Sequence, residues 1–363
     1  MSESILFLAH VDDGGLSKPS LEALGAAVEL SAKIGAPLVA GLTGAGVQKA
    51  ADAIAACGGA RFLAVEGDMF AQARYATDAA AADAIARAAG ATIVIAPHTS
   101  RWARALPGVA YRLSGRADTH VTGIDVNGQS VGPDLSPAAL SVSRWYYRQR
   151  MEAAQSRSER PWVILLDPGC HAPWSWTGAA GSASVEMVAV DLPAGQVRSR
   201  VTGIEAPAAD ADTIRPDADL LFVAGAGWTK KQADGQTHVP DAEVLILGFL
   251  ARTKASLGGS KSLVDLSGEG QAVLRVMTHL NQVGQTGSTP RHAKGLSTCC
   301  HGEEPHVVGW RFINERRAIN LDPNCGWARG KADVVYVADA FAVMKKVNEL
   351  LGQERTSSSP PAS

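Results

Sequence analysis

The sequence predicts an α/β protein with two α/β domains built on mainly parallel sheets. Its 363 residues are enough for two hydrophobic cores. Short apolar runs alternate with helical patterns in the amino-terminal part, which is typical of parallel βαβ units. A segment rich in acids, alanine and proline at 198–216 then precedes a second apolar run at 220–224. We therefore predict domains at 1–197 and 217–351, a linker at 198–216 and a disordered tail at 352–363.

The elements follow from apolar runs for strands and from apolar residues three or four apart for helices. Ser17 is expected to cap a first helix that has Pro19 in its first turn and ends at 35–37. Further helices are predicted at 47–56, 75–89, 241–253 and 339–351. Strands are predicted at 5–9, 38–42, 61–65, 92–96, 120–125, 162–167, 185–190 and 220–224, with an edge hairpin at 145–148.

Two loops of the first domain carry side chains that are candidates for ligand or partner contacts. The turn at 97–100 follows a strand at the carboxyl end, where open α/β sheets place ligands, and we interpret its His98 as a helix-capping or interface residue. The loop at 170–178 contains Trp174 and Trp176. These tryptophans indicate either a contact patch for another protein or a loop folded over the edge of the sheet.

Composition and charge exclude several classes of protein. Hydrophobic residues make up 46% of the chain and charged residues 19%, and 34 basic against 36 acidic residues leave a net charge of −2. This balance gives no indication of nucleic-acid binding. No apolar run is long enough to span a bilayer, and the amino terminus lacks the pattern of a signal peptide, so we expect a cytoplasmic protein without membrane insertion. Five irregularly spaced cysteines do not predict a disulfide framework.

The chain is organised around the stretch 281–287, Asn-Gln-Val-Gly-Gln-Thr-Gly, which we predict as a strand end that breaks into a glycine turn. Two glycines around an amide and a hydroxyl allow close approach of the backbone to a flat polar ligand, although the same residues are common in ordinary turns. The surrounding motifs lie at 221–227, 257–265, 300–306, 318–322 and 332–339.

This ordered set resembles the carboxy-terminal, FAD-binding domain of the alpha subunit of electron transfer flavoproteins. The family pattern runs from a strand into a glycine turn, then through Gly-Ala-Ser-Arg-x-x-Val-Asp, Gln-Val-Gly-Gln-Thr-Gly, Ser-Gly-Ala-Ile-Gln-His and Ala-Ile-Asn-x-Asp to a final Asp before a helix. Its spacing agrees without a gap from Gln282 through Asp322. The resemblance implies that the second domain is a Rossmann-like, DHS-like FAD-binding domain.

The resemblance also implies a set of FAD-binding residues. Lys261 would be a cation near the flavin, His306 would lie near its pyrimidine end, and Asn320 and Asp333 would serve the adenosine half. Gln285 and Thr286 would contact the ribityl chain and the isoalloxazine edge. The complete set is Ser260, Lys261, Gln282, Val283, Gly284, Gln285, Thr286, Gly287, His301, Gly302, Glu303, Glu304, His306, Asn320 and Asp333.

The role implied by the resemblance is that of an electron carrier. The chain would pair with a beta subunit through its first domain, accept electrons from a flavoprotein dehydrogenase and pass them to a quinone reductase or another acceptor. No catalytic residues and no metal ligands of its own are expected in that role, because the flavin supplies the redox chemistry.

Two departures leave alternatives open. Gly227 replaces an arginine of the family pattern, and Trp228 stands where glycine is usual, so this tryptophan would either stack on the adenine or block it. A homologue that has lost FAD and acts as a structural or regulatory partner is therefore one alternative. A metal-dependent enzyme centred on Cys300, His301 and His306 is another, because that segment is rich in thiols, imidazoles and carboxylates.

Overall fold

The chain divides into two compact units, Met1–Glu205 and Ala206–Ser363, in a computed structural model. The structure describes residues 2–126, 140–146, 151–179, 181–192, 195, 197–203, 214–215, 217–265, 272–284, 289–298, 313–325, 328–329 and 332–357. Among these residues, no helix combines the length and the apolar character that crossing a lipid bilayer requires.

A mainly parallel sheet forms the centre of the first unit. Its strands are β1 (Ile5–Val11), β2 (Leu38–Gly44), β3 (Arg61–Glu66), β4 (Ile93–Pro97), β5 (Arg116–Val126), β6 (Leu140–Tyr146), β7 (Met151–Ser156), β8 (Trp162–Leu166) and β9 (Val185–Met187). Within the described residues they lie in the order β7-β6-β5-β8-β4-β1-β2-β3-β9. Only the β5–β6 and β6–β7 pairs of this described sheet are antiparallel, which confirms the predicted α/β class.

The helices of the first unit cover both faces of this sheet. They are α1 (Lys18–Ile34), α2 (Val47–Ala53), α3 (Asp68–Ala71), α4 (Tyr75–Ala89) and α5 (Ser100–Arg112). Alternate residues of β1 enter two different cores, with Phe7 packed in one and Leu8 in the other. Both side chains are 0% exposed, which explains why the central strands read as continuous apolar runs.

The caps of two helices connect the sequence directly to the fold. As predicted, Ser17 caps α1 by accepting a hydrogen bond from the Ser20 backbone N–H at 3.3 Å. The N-cap of α5 is Thr99, whose hydroxyl accepts from the Trp102 N–H at 3.3 Å. The helix-capping part of the interpretation of His98 is therefore wrong, because its neighbour Thr99 provides the side-chain oxygen that the helix terminus needs, and the interface part stays a prediction.

The loop at 170–178 lies over α1 and divides its two tryptophans. The Trp174 N–H donates to the Leu21 carbonyl at 2.8 Å, and its ring packs against the core. Trp176 is 56% exposed. A Cβ on Gly25 of α1 would come within 2.6 Å of the Ala172 oxygen, so the loop depends on this glycine for its close approach. The loop thus packs on α1 and not over the edge of the sheet, and a contact patch at Trp176 stays a prediction.

A buried carboxylate ties the antiparallel edge to the parallel part of the sheet. Asp118 on β5 is 0% exposed and accepts hydrogen bonds from Arg144, Arg157 and the Trp162 indole N–H. Burial by itself would raise the pKa of Asp118. The hydrogen bonds from Arg157 and Trp162 and the charge of Arg144 outweigh burial and hold this pKa below its ordinary value.

Replacing this carboxylate is expected to destabilise the first unit. Asp118→Asn leaves two guanidinium groups without their anionic partner, which should lower the free energy of unfolding by about 3 kcal/mol. Urea denaturation measures this loss. Asp83→Asn is the control, because Asp83 forms a partly exposed ion pair with Arg87 one helical turn away and should cost at most about 1 kcal/mol. Equal losses in the two variants would contradict the role of Asp118.

The same residue predicts a pH dependence. Because the pKa of Asp118 is depressed in the folded protein, its stabilising contribution is present above the unfolded-state pKa of about 3.9 and is lost as the pH falls through the folded-state pKa. The difference in unfolding free energy between the wild type and Asp118→Asn should therefore narrow below about pH 4. Urea titrations at a series of pH values test this, and a gap independent of pH would refute it.

The second unit is a smaller, wholly parallel sheet over its described strands. These are β10 (Leu220–Ala224), β11 (Ser256–Gly259), β12 (His292–Thr298), β13 (Ile313–Asn320) and β14 (Val334–Val337). The α-helices within the described residues of this unit are α6 (Val239–Thr253), α7 (Lys261–Asp265) and α8 (Ala340–Ser357). The strand order is β11-β10-β12-β13-β14, with every described pair parallel. Two α/β units with mainly parallel sheets are thus present, as the sequence predicts.

The last helix is longer than its apolar pattern indicates. α8 runs to Ser357, whereas the pattern predicts a helix at 339–351 followed by a tail. Met344, which is 0% exposed, anchors the helix in the core, and Asn348 donates to the Leu245 carbonyl at 2.8 Å. Once these turns are packed, each further residue adds a backbone hydrogen bond without a new nucleation cost.

Candidate cofactor site

The strand order of the second unit brings several strand ends together at one edge. β10 lies between β11 and β12, so the connections from β10 reverse direction across the sheet. Open parallel sheets bind ligands at such a reversal, outside the carboxyl ends of the strands. Here the Gly225 N–H, directly after β10, donates to the Thr298 carbonyl at the end of β12 at 2.8 Å. We take this carboxyl edge as the candidate site.

The turn after β10 is held by Trp228. Its indole ring is 0% exposed and packs on Phe341 with the ring centroids 4.6 Å apart, and its Nε1 donates to Thr298 Oγ1 at 2.8 Å. The Thr298 hydroxyl in turn donates to the Val223 carbonyl at 3.2 Å. These contacts do not test the expectation that Trp228 would stack on adenine or block it, which stays a prediction. The ring is a core residue that joins the ends of β10 and β12.

Ser260 lies at the end of β11, on the same edge. Its N–H donates to the Ala224 carbonyl at 2.9 Å, and its hydroxyl accepts from the Leu263 N–H at 3.2 Å at the start of α7. The residue is only 3% exposed. Lys261 is the first residue of α7, and its side chain lies outside the part of the chain that the structure describes.

The described half of the glycine stretch lies beside the end of β11. Gln282 forms a parallel bridge with Gly259, and the Val283 N–H donates to the Gly259 carbonyl at 3.1 Å. Gly284 has a φ of +84° and its N–H donates to Thr289 Oγ1 at 2.7 Å. The left-handed φ explains the glycine at 284.

A short 3-10 helix, His279–Asn281, precedes this bridge in place of the predicted strand end. A capping box forms the amino-terminal end of this helix, because Thr278 and Asn281 exchange side-chain and backbone hydrogen bonds. The Asn281 amide also donates to the Leu257 carbonyl at 3.1 Å, which fixes the stretch against β11. Local polar contacts thus replace the strand that the spacing of Leu274 and Leu280 indicates.

Several of the predicted site residues lie outside the described part of the chain. In the glycine turn these are Gln285, Thr286 and Gly287. In the segment after β12 they are His301, Gly302, Glu303, Glu304 and His306, and the cysteine of the alternative metal site, Cys300, lies there too.

Asn320 ends β13 and carries an unusual hydrogen-bonding state. It is 2% exposed, and its side-chain oxygen accepts from the Asp322 N–H at 3.3 Å in an Asx-type turn. Its Nδ2 has no hydrogen-bond partner among the described residues. Because an unpaired buried amide donor costs free energy, this atom fits a ligand acceptor at the carboxyl edge.

The structure does not bring Asp333 to Asn320. Asp333 lies before β14, at the amino edge, where its Oδ2 accepts from the Arg316 N–H at 2.6 Å. The register pairs Arg317 with Val334, so Asp333 and Asn320 are separated by about 13 Å along the strand direction. The local hydrogen bond to Arg316 accounts for Asp333 at this position.

Asp339 occupies the place at the carboxyl edge that Asp333 does not reach. The Ala338 N–H donates to the Asn320 carbonyl at 3.1 Å, which sets Asp339 beside the end of β13. Its Oδ1 accepts from the Ala342 N–H at 2.8 Å at the start of α8. The signal that would have identified Asp339 is its position directly after the apolar run of β14, since carboxyl ends of parallel strands share one edge.

The described residues of this edge combine donors and an acid around glycine turns. Asn320 offers an amide donor, Asp339 a carboxylate, and the turns at Gly225 and Gly284 bring backbone close to the edge. Such a set suits a nucleotide, whose phosphates and ribose hydroxyls need donors and acceptors respectively. Each of these groups can bind a ligand through hydrogen bonds.

Comparisons with known proteins identify the family of the chain. The model of a family described as "Electron transfer flavoprotein domain" matches residues 5–194, just over half of the chain. The chain is also similar to the "Electron transfer flavoprotein subunit alpha" of Clostridium acetobutylicum, with 26% identity over 363 residues that cover 97% of this chain and 96% of that protein. The chain therefore belongs to the electron transfer flavoprotein family.

Proposed function

We propose that the chain is the alpha subunit of a heterodimeric electron transfer flavoprotein and that it binds FAD at the carboxyl edge of the second unit. The observation that carries this proposal is the buried Asn320 amide, whose donor lacks a partner among the described residues at the end of β13. Membership in the electron transfer flavoprotein family supports a flavin cofactor. The Asn320 donor supports this edge as its site, because parallel sheets bind ligands where the connections between strands reverse direction.

The described residues fit the adenosine half of FAD. The Asn320 Nδ2 would donate to an acceptor of the nucleotide, and the Asp339 carboxylate, beside it on the edge, would accept from ribose hydroxyls. Ser260, Gln282, Val283 and Gly284 line the neighbouring end of β11. When bound, FAD supplies the redox chemistry, while the chain binds it, orients it and limits the access of water.

The position of Trp228 argues against the homologue without FAD. That alternative rests on a ring that fills the cofactor site, whereas the described ring fills the core and hydrogen-bonds Thr298. The absence of the family arginine at Gly227 removes one cationic partner of a pyrophosphate, which predicts weaker binding and not a blocked site.

The proposed partners follow from the family. A beta subunit would bind the first unit, a flavoprotein dehydrogenase would donate electrons, and a quinone reductase or another acceptor would receive them. In the first unit, the exposed Trp176 supports a contact surface, because aromatic residues are enriched in protein interfaces.

The first experiment is the visible absorption spectrum of the full-length chain purified with its beta subunit, followed by release of the chromophore. We expect a two-banded flavin spectrum and one FAD bound to the alpha subunit. The Asn320 variant below assigns the site, because the spectrum of the complex does not say which chain holds the flavin. A colourless complex that added FAD does not reconstitute would overturn the proposal and leave the homologue without FAD.

Asn320→Ala is expected to weaken FAD binding about tenfold or more, because the variant lacks a hydrogen bond to the ligand worth about 1.4 kcal/mol. Titration of the FAD-free complex with FAD measures the dissociation constant. Asn314→Ala is the matched control, since Asn314 is an asparagine at the amino end of the same strand, bonded to Arg291. A variant with lower thermal stability without FAD but a wild-type FAD dissociation constant would contradict the proposal, because Asn320 would then stabilise only the turn that follows β13.

Trp228→Phe separates the core role of this residue from a blocking role. The variant loses the hydrogen bond to Thr298 and part of the packing on Phe341, so we expect a loss of about 2 kcal/mol in unfolding free energy and an unchanged FAD dissociation constant. Denaturation and FAD titration measure the two effects. Tighter FAD binding by the variant would show that the indole competes with the cofactor.

A further inference from the structure

Three side chains converge at the carboxyl edge of the first unit, where the electron carrier role assigns no chemistry. His98 follows β4, Asp167 follows β8, and His120 lies within β5. These strands are neighbours, because β8 pairs with β4 on one side and with β5 on the other. The topology therefore brings together residues that are far apart in the sequence, which is why no spacing motif in the sequence indicates them.

Two distances within this cluster are close to those between the ligands of a single ion. Asp167 Oδ1 lies 3.0 Å from His98 Nδ1 and 3.2 Å from His120 Nδ1. One ligand atom from each residue lies within 4.8 Å of the others. A tetrahedral zinc ion with bonds of about 2.0–2.1 Å holds its ligand atoms about 3.3 Å apart. Little movement is needed for the three groups to share one ion.

The backbone holds the two strand-end residues in place. The His98 N–H donates to the Leu166 carbonyl at 2.7 Å, and the Asp167 N–H donates to the Val121 carbonyl at 2.8 Å. The following loop is fixed by Glu22, whose carboxylate accepts from the Gly169 N–H at 2.7 Å. Such support orients a ligand before the ion arrives, as the outer shell of a metal site does.

His120 is placed by a local distortion of β5. Its φ is +57°, in the left-handed region that residues other than glycine seldom adopt, and the register between β5 and β8 shifts between Asp118 and Val121. The distortion accompanies a ring that faces Asp167 and lies 4.2 Å from the His98 ring, centroid to centroid. Strain of this kind is concentrated at functional sites.

We propose that His98, His120 and Asp167 form a binding site for a divalent transition-metal ion, with zinc as the best fit. Two imidazoles and one carboxylate are a common zinc donor set, whereas magnesium and calcium prefer oxygen ligands alone. Asp167 is 4% exposed and His120 is 51% exposed, so the fourth position opens toward solvent on the side of His120. A water molecule or a side chain of a partner would complete the coordination.

Another histidine of the chain shows what an ordinary ion pair looks like. His238 lies 2.7 Å from Asp234 and 3.3 Å from Asp241, but the two carboxylates contact opposite nitrogens of its ring. They cannot share one ion with that ring. Within the described residues, the cluster of His98, His120 and Asp167 is the one set of three such groups that converges on a point.

The test is titration of the chelator-treated, full-length protein with Zn²⁺ in competition with a metallochromic chelator. The variants are His98→Gln, Asp167→Asn and His120→Asn, of which the last keeps a residue type that tolerates a left-handed φ. His238→Gln is the matched control. Co²⁺ replaces Zn²⁺ in a second titration, because its visible spectrum reports four-coordinate geometry.

We expect one Zn²⁺ per chain at micromolar or tighter affinity, with a four-coordinate Co²⁺ spectrum. Each ligand variant should weaken binding at least about tenfold, as the loss of even a supporting residue does, while His238→Gln binds like the wild type. Zinc should raise the melting temperature of the wild type and not that of His120→Asn.

Two results would overturn the proposal. One is a wild-type protein that binds neither ion. The other is wild-type affinity in all three ligand variants, which would assign the zinc to another segment such as the thiols and imidazoles at 299–306. Equal melting temperatures of wild type and variants without zinc show that the substitutions leave the fold intact.

Discussion

Parallel pairing around a strand buried on both faces is the constraint on which each unit depends. β1 in the first unit and β10 in the second lie inside their sheets, so helices must cover both faces and the connections must cross over. Parallel strands end at a common edge, and the backbone groups beyond those ends are left for turns, helix starts and ligands. The candidate FAD edge and the histidine cluster are two outcomes of this constraint.

Buried side chains hold the carboxyl edge of the second unit in shape. Trp228 links the turn after β10 to Thr298 on β12, and Asn281 links the glycine stretch to β11. Buried polar groups are stable only when hydrogen-bonded, so these links specify one arrangement of the strand ends. The Nδ2 of Asn320 differs from these linked groups, because it has no hydrogen-bond partner in the part of the chain that the structure describes.

Charged side chains link the strands of the first unit, whereas a packed aromatic ring links the strand ends of the second. The Asp118 carboxylate accepts hydrogen bonds from two arginines and an indole N–H near the antiparallel edge. The Asp167 carboxylate contacts two histidines at the strand ends. The two aspartates differ in their partners. Arginine stays charged and cannot ligate a metal, so Asp118 belongs to a structural network, whereas imidazoles beside Asp167 provide ligand nitrogens.

Local sequence was sufficient for the α/β class, the Ser17 cap, the helix at 75–89 and the strand at 220–224, because periodicity and capping act between residues close in the chain. The spacing of the motifs likewise predicted Ser260, Gln282 and Asn320 as residues of the candidate site. Only the tertiary structure separated Asp333 from Asp339, placed Trp228 in the core and joined His98, His120 and Asp167. Those outcomes depend on strand order and register, which arise from pairing between segments that are distant in sequence.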